Sequence, residues 1–227
     1  MLSNGSFRIS FRFRNQYPCA DDYLIDLLKN QFDYEDVNQN NLVFDPNTGN
    51  QLSIVLLEHE DHRISIQNRR GIIGIETDKP ETGKKVIQFI YDLFEKDKKI
   101  GIDITKDIRF VEIIYDIKWL SEISWHIVTR NTKQYDHELF NDFFGDRTQN
   151  YQIRISSRIP DDRLNDNVLN IDDFFEISIV PMTANPSRVH INYIYRNSNY
   201  DRVMETASEL DEKLRDLITE LEGKNGK

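Results

Sequence analysis

Phe7-Arg8-Ile9-Ser10-Phe11-Arg12-Phe13-Arg14 alternates apolar and polar side chains without a break. Successive side chains of a β-strand point to opposite faces. The spacing therefore predicts a strand that buries Phe7, Ile9, Phe11 and Phe13. Arg8, Ser10, Arg12 and Arg14 form its other face. The chain around this basic stripe carries a net charge of -10. Either the arginines meet an anionic ligand, or they neutralise acidic neighbours of the same chain. Glu112, Asp116 and Glu176 are candidate cross-strand partners. The acid excess favours the internal pairing.

The 227 residues are enough for one large or two small domains. A hydrophobic fraction of 38 %, with 13 Phe and 10 Tyr, can fill a core. The lone Cys19 rules out an intrachain disulfide. The N-terminal residues lack a basic start and an apolar run, so no signal peptide is expected. No apolar stretch approaches the ~20 residues of a membrane helix. A cytoplasmic protein without membrane contact is expected. Its acidity disfavours general nucleic-acid binding.

The alternation of strand and helix periods continues along the chain. A helix is expected from Asp21 and Asp22, which supply acid to its first turn, to about Phe32, with Leu24, Leu27 and Leu28 at helical spacing. Leu42-Val43-Phe44, Gln51 to Glu58, His62 to Gln67 and Gly71 to Glu76 read as strands. A helix begins at Pro80, with Val86, Ile90, Leu93 and Phe94 as its apolar stripe. Ile102 to Ile104 and Ile108 to Lys118 suggest a hairpin around Thr105-Lys106-Asp107, and Ser124 to Arg130 suggests more β structure. A short helix is expected at Tyr135 to Phe144. Strands are expected at Tyr151 to Arg158, Phe174 to Pro181 and Arg188 to Arg196.

Tyr200 to Glu222 reads as a long helix. Val203, Ala207, Leu210, Leu214, Leu217 and Leu221 form a heptad seam on it. Such a seam would pack on the sheet or pair two copies of the chain, so a homodimer through 200–222 is one expectation.

The expected fold is α+β: a mostly antiparallel sheet with helices on one face. The element order leaves room for two ferredoxin-like halves, 1–118 and 119–222, before a disordered tail at 223–227. Arg154-Ile155-Ser156-Ser157-Arg158 echoes Arg8 to Arg12, and Arg63-Ile64-Ser65 is a partial third copy. Five arginines would share one binding surface if the first and echo strands were adjacent: Arg8, Arg12, Arg14, Arg154 and Arg158.

One pattern points to catalysis. Asp103 precedes Glu112-Ile113-Ile114-Tyr115-Asp116-Ile117-Lys118. An acid followed by acid-x-Lys on a strand resembles the PD-(D/E)xK nuclease superfamily. That resemblance implies Mg²⁺ held by Asp116 with Asp103 or Asp107. Lys118 would steady the attacking water, and Glu95 would complete the set. The Pro of the motif is absent, and β-like sequence follows Lys118.

His59-Glu60-Asp61-His62 reads as a solvated turn, on the expectation that residues i and i+3 of a hairpin face opposite ways. Asp161, Asp162, Asp166, Asp172 and Asp173 lack calcium-loop spacing and read as a solvated acidic loop. No phosphate-binding or nucleophile-elbow motif occurs. The expected function is a non-enzymatic interaction protein without metal or cofactor, whose partner is another protein. An inhibitor, an immunity protein or an accessory subunit of a microbial antiviral defence or toxin system would suit it. The Mg²⁺-dependent nuclease and an RNA-binding module are the alternatives.

Overall fold

A computed structural model describes residues 2–15, 22–34, 36–44, 51–67, 70–121, 127–128, 152–157, 172–182, 185 and 187–223. Nine strands form one antiparallel sheet: β1 (Leu2–Phe13), β2 (Asp36–Phe44), β3 (Gln51–His59), β4 (His62–Gln67), β5 (Ile72–Thr77), β6 (Ile108–Leu120), β7 (Ile153–Ser156), β8 (Phe174–Pro181) and β9 (Arg188–Asn197). The strand order is β2-β3-β4-β5-β1-β6-β9-β8-β7. Among the described residues the sheet is accompanied by α1 (Asp22–Phe32), α2 (Pro80–Lys96), the single turn α3 (Ile104–Asp107) and α4 (Tyr200–Gly223). The expected α+β class is the observed one. No helix among the described residues is long and apolar enough to cross a membrane.

The opening strand lies near the middle of the sheet. Phe7, Ile9 and Phe11 are fully buried, and Phe13 nearly so. Their face continues through Val111, Ile113, Tyr115 and Ile117 of β6. Helices α2 and α4 cover it with Val86, Ile87, Ile90 and Phe94, and with Val203, Ala207, Leu210 and Leu214. The Phe11 ring meets Phe94 at 5.4 Å and Tyr200 at 6.1 Å between centroids. Helix α1 adds Leu24, Ile25 and Leu28, and Phe32 packs on Phe89 of α2 at 5.3 Å.

Read outward from the central β1–β6 pair, the two flanks share an order. After β1 and α1, strands β2 to β5 form a meander whose last member returns to β1, and α2 follows. On the other flank β7 to β9 form a meander whose last member returns to β6, and α4 follows. A ferredoxin-like half places a helix between its third and fourth strands, whereas β3, β4 and β5 follow one another without one. Residue 119 falls inside β6, so both flanks belong to one continuous sheet.

Three local expectations change. The hairpin at 102–118 is replaced by α3, because the Asp103 side chain accepts from the Thr105 and Lys106 backbone N–H groups and caps a helical turn. Of 124–130, only Ile127 and Val128 are described; both are buried and helical. On α4 the buried row runs Val203, Ala207, Leu210, Leu214, Ile218, while Leu217 is exposed. A straight helix on a sheet follows 3.6 residues per turn and drifts off a strict heptad. The seam side chains up to Leu214 are buried within the chain, and the outward face of α4 is largely charged. The helix expected at 135–144 lies outside the described residues.

Candidate functional site

The face of the sheet opposite α2 and α4 is built in rows by strand register. One row runs Arg63–Glu76–Arg8 across β4, β5 and β1. The next runs Ser65–Gly74–Ser10, and the third Gln67–Ile72–Arg12. The middle row is small and its neighbours are long, so the rows enclose a trough. Gly74 keeps the trough floor low, since a Cβ there would sit 3.0 Å from the Ser10 Cβ. The resulting hollow has a volume of about 420 Å³. Ile54 and Leu56 of β3 wall one side, and Arg70 joins Arg8, Arg12 and Arg63 around it.

Among the described residues, four guanidinium groups and the carboxylate of Glu76 line this hollow. Arg63 donates from Nη2 to Glu76 Oε2 at 2.8 Å, and Ser6 donates from Oγ to Oε1 at 3.2 Å. Burial alone would raise the Glu76 pKa, but Arg63, Ser6 and the Arg8 charge outweigh it and hold the group below its ordinary value. Ser10 is 1 % exposed, and its buried Oγ has no hydrogen-bond partner among the described residues. The same holds for Gln67 Oε1. Unmade hydrogen bonds on buried groups cost about 1–3 kcal/mol each. Both of these atoms belong to side chains that line the same cationic hollow.

At the β6 end of the trough, Arg12 and Arg196 grip Glu112. Arg12 donates to Oε1 from Nη2, and from Nε at 3.2 Å. Arg196 donates from Nε to Oε2 at 2.6 Å and lies 5.5 Å from the rings of both Phe110 and Phe174. Burial pushes the Glu112 carboxyl up, but the two guanidiniums prevail and keep its pKa low.

The five arginines singled out from sequence do not share one surface. Arg8 and Arg12 line the hollow. Arg14 lies past the end of β1, exposed, with its backbone N–H donating to the Asp107 carbonyl at 2.8 Å. Arg154 stands on β7, which β8, β9 and β6 separate from β1, and pairs with Glu176 at 2.9 Å. Arg158 lies outside the described residues. Arg63 and Arg70 take the places the echo strand was to fill. The alternation of Arg63-Ile64-Ser65-Ile66-Gln67 was the available signal for Arg63; for Arg70 there was none.

The residues of the nuclease pattern are dispersed. Asp103 caps α3 and pairs with Lys106 Nζ at 2.8 Å, which with Thr105 lowers its pKa to about 2. Asp116 and Lys118 share one face of β6, but Asp116 lies eight residues into the strand. At about 3.3 Å per residue it is roughly 26 Å from the strand start beside α3. Asp116 Oδ1 accepts from Asn192 Nδ2 at 2.8 Å and lies 3.1 Å from His190 Nε2. Asp107 accepts from the Asp103 N–H at 2.8 Å, and Glu95 is exposed on α2 across the sheet. No single ion reaches this set.

The turn at 59–62 corrects the expectation that its histidines diverge. Only Glu60 and Asp61 connect β3 to β4, so His59 and His62 are directly opposed cross-strand partners. Opposed residues of an antiparallel pair point to the same face. Their rings lie 4.9 Å apart, and both Nδ1 atoms approach Asp61 Oδ1, His59 at 3.0 Å and His62 at 2.7 Å. His62 is buried, with Nε2 2.8 Å from the Tyr34 hydroxyl. Lys79 Nζ is 3.3 Å from Asp61 Oδ2, and Thr77 Oγ1 donates to the Asp61 carbonyl at 2.7 Å. Hydrogen bonds from His62 first, then His59 and Lys79, hold Asp61 well below the ordinary carboxylate range.

Of the acidic loop, Asp172 pairs with Arg109 at 2.6 Å and Asp173 accepts from Asn197 at 3.1 Å. Asp161, Asp162 and Asp166 lie outside the described residues. A comparison with protein families finds no match for the chain, and a comparison with curated proteins finds none either.

Proposed function

We propose that the protein is a non-enzymatic interaction protein. Its arginine-lined hollow on the second sheet face receives an anionic side chain or segment of another protein. The observation that carries this reading is the convergence of Arg8, Arg12, Arg63 and Arg70 on a hollow containing the unpartnered Ser10 hydroxyl. Guanidinium groups present planar forks that match carboxylates, and the buried hydroxyl offers a further donor. An acidic chain carrying a cationic recess suits an inhibitor, immunity protein or accessory subunit, because it favours a partner that fits the recess and repels other anions.

Titration calorimetry with an oligoglutamate peptide and with a short single-stranded RNA tests this reading. The peptide should bind, more weakly as salt rises. Charge-assisted hydrogen bonds contribute about 1.5–3 kcal/mol each. Arg8→Gln combined with Arg63→Gln should therefore weaken binding roughly tenfold or more. Absence of peptide binding at low salt, or binding of RNA in its place, contradicts the proposal.

A further inference from the structure

We propose that His59, Asp61 and His62 form a binding site for a divalent transition-metal ion, Zn²⁺ foremost, at the β3–β4 turn. Three donors suited to such ions, two imidazoles and a carboxylate, converge here beside the arginine hollow. Their ligand atoms all lie within 4.8 Å of one another. With bonds of about 2.0–2.1 Å, tetrahedral coordination requires ligand atoms about 3.3 Å apart. Both imidazole Nδ1 atoms already lie within 3.0 Å of the same Asp61 oxygen. Small outward shifts of side chains open the central position. Imidazole nitrogen and carboxylate together favour zinc and its transition-metal neighbours over magnesium or calcium.

The surroundings hold these donors in place. Tyr34 occupies Nε2 of His62, leaving Nδ1 to face the ion, which is how outer partners orient a metal-bound histidine. Thr77 fixes the Asp61 backbone, and Lys79 engages the carboxylate oxygen that the two imidazoles do not share. The site opens to a recess of about 420 Å³ lined by Glu58, Asp78 and the ion-paired Glu76 and Arg63, a balance that leaves net negative charge at the entrance. The fourth coordination position faces this recess and would be filled by water. Bound there, the ion joins the β3–β4 turn to its own two strands.

Chelator-treated full-length protein titrated with Co²⁺ and then Zn²⁺ tests the site. One equivalent of Co²⁺ should give a visible tetrahedral ligand-field band that Zn²⁺ displaces, and Zn²⁺ should raise the melting temperature. His59→Ala and Asp61→Asn, both at partly exposed positions, should each remove the band and weaken Zn²⁺ binding by roughly tenfold or more. Tyr34→Phe, which keeps the buried ring, should weaken it by roughly tenfold to a hundredfold. Circular dichroism verifies that each variant is folded. The proposal is overturned if equilibrium dialysis detects no bound Zn²⁺, or if the folded His59→Ala/Asp61→Asn double variant binds it as tightly as the parent. Neither result bears on peptide binding at the arginine hollow.

Discussion

Arg196 donates from Nε to Oε2 of Glu112 across 2.6 Å, and the Glu112 side chain is only 1 % exposed. Arg12 holds the other oxygen from the opposite side. This carboxylate on β6 ties the two central strands to β9. Removing it leaves two half-buried guanidiniums facing each other, and breaking such a pair costs about 3–5 kcal/mol. Glu112→Ala should lower the urea midpoint accordingly, with little change in the slope of the transition.

The same residue has a pH signature. Its folded pKa is depressed below the ordinary 4.5, so its contribution is complete above that value and is lost as pH falls through the folded pKa. Glu112→Gln should flatten the acid limb of the stability profile below about pH 4.5. An unchanged acid limb would remove the assignment.

Gly83 lies on α2 where it crosses β1. A Cβ there would sit 2.9 Å from two ring atoms of the buried Phe7 and 3.2 Å from Thr77 Cγ2. Alanine gains about 1 kcal/mol of helix propensity over glycine. Overpacking costs about 1–3 kcal/mol. Gly83→Ala should therefore destabilise by about 1 kcal/mol, against the propensity scale, as thermal unfolding would register.

Helix α4 offers a test of periodicity. Ile218 is fully buried and Leu217 is 36 % exposed. Ile218→Ala should cost about 2–4 kcal/mol. Leu217→Ala, whose side chain faces outward, should change stability by less than about 1 kcal/mol. Equal effects in chemical denaturation would restore the heptad seam.

The elements were legible where apolar spacing was regular. Phe7 to Phe13, Pro80 to Phe94 and Phe174 to Pro181 carry one period each, and each formed the element that period predicts. Asp103 shows the limit: one cap turned a presumed hairpin into a helical turn. Arg12 and Glu112 were legible as a pair because an acid excess must meet the basic stripe. The hollow was not, because it depends on β4, β5 and β1 lying side by side with Ser65, Gly74 and Ser10 in register. Sequence order cannot supply that, since β1 pairs with β5 rather than with the strand that follows it. The two histidines were missed for a nearer reason. Strands ending at Glu58 and beginning at His62 leave a three-residue connection, whereas the two-residue turn of Glu60 and Asp61 places residues i and i+3 on the same face.

The central claim is that the hollow between β4, β5 and β1 is the recognition surface. Backbone amide NMR during titration with the oligoglutamate peptide tests it most directly. Saturable shifts should concentrate at Arg8, Ser10, Arg12, Arg63, Ser65, Gln67 and Gly74, with the half-saturating peptide concentration raised roughly tenfold or more by Arg8→Gln with Arg63→Gln. Saturable shifts centred elsewhere, or no shifts at low salt, would contradict it.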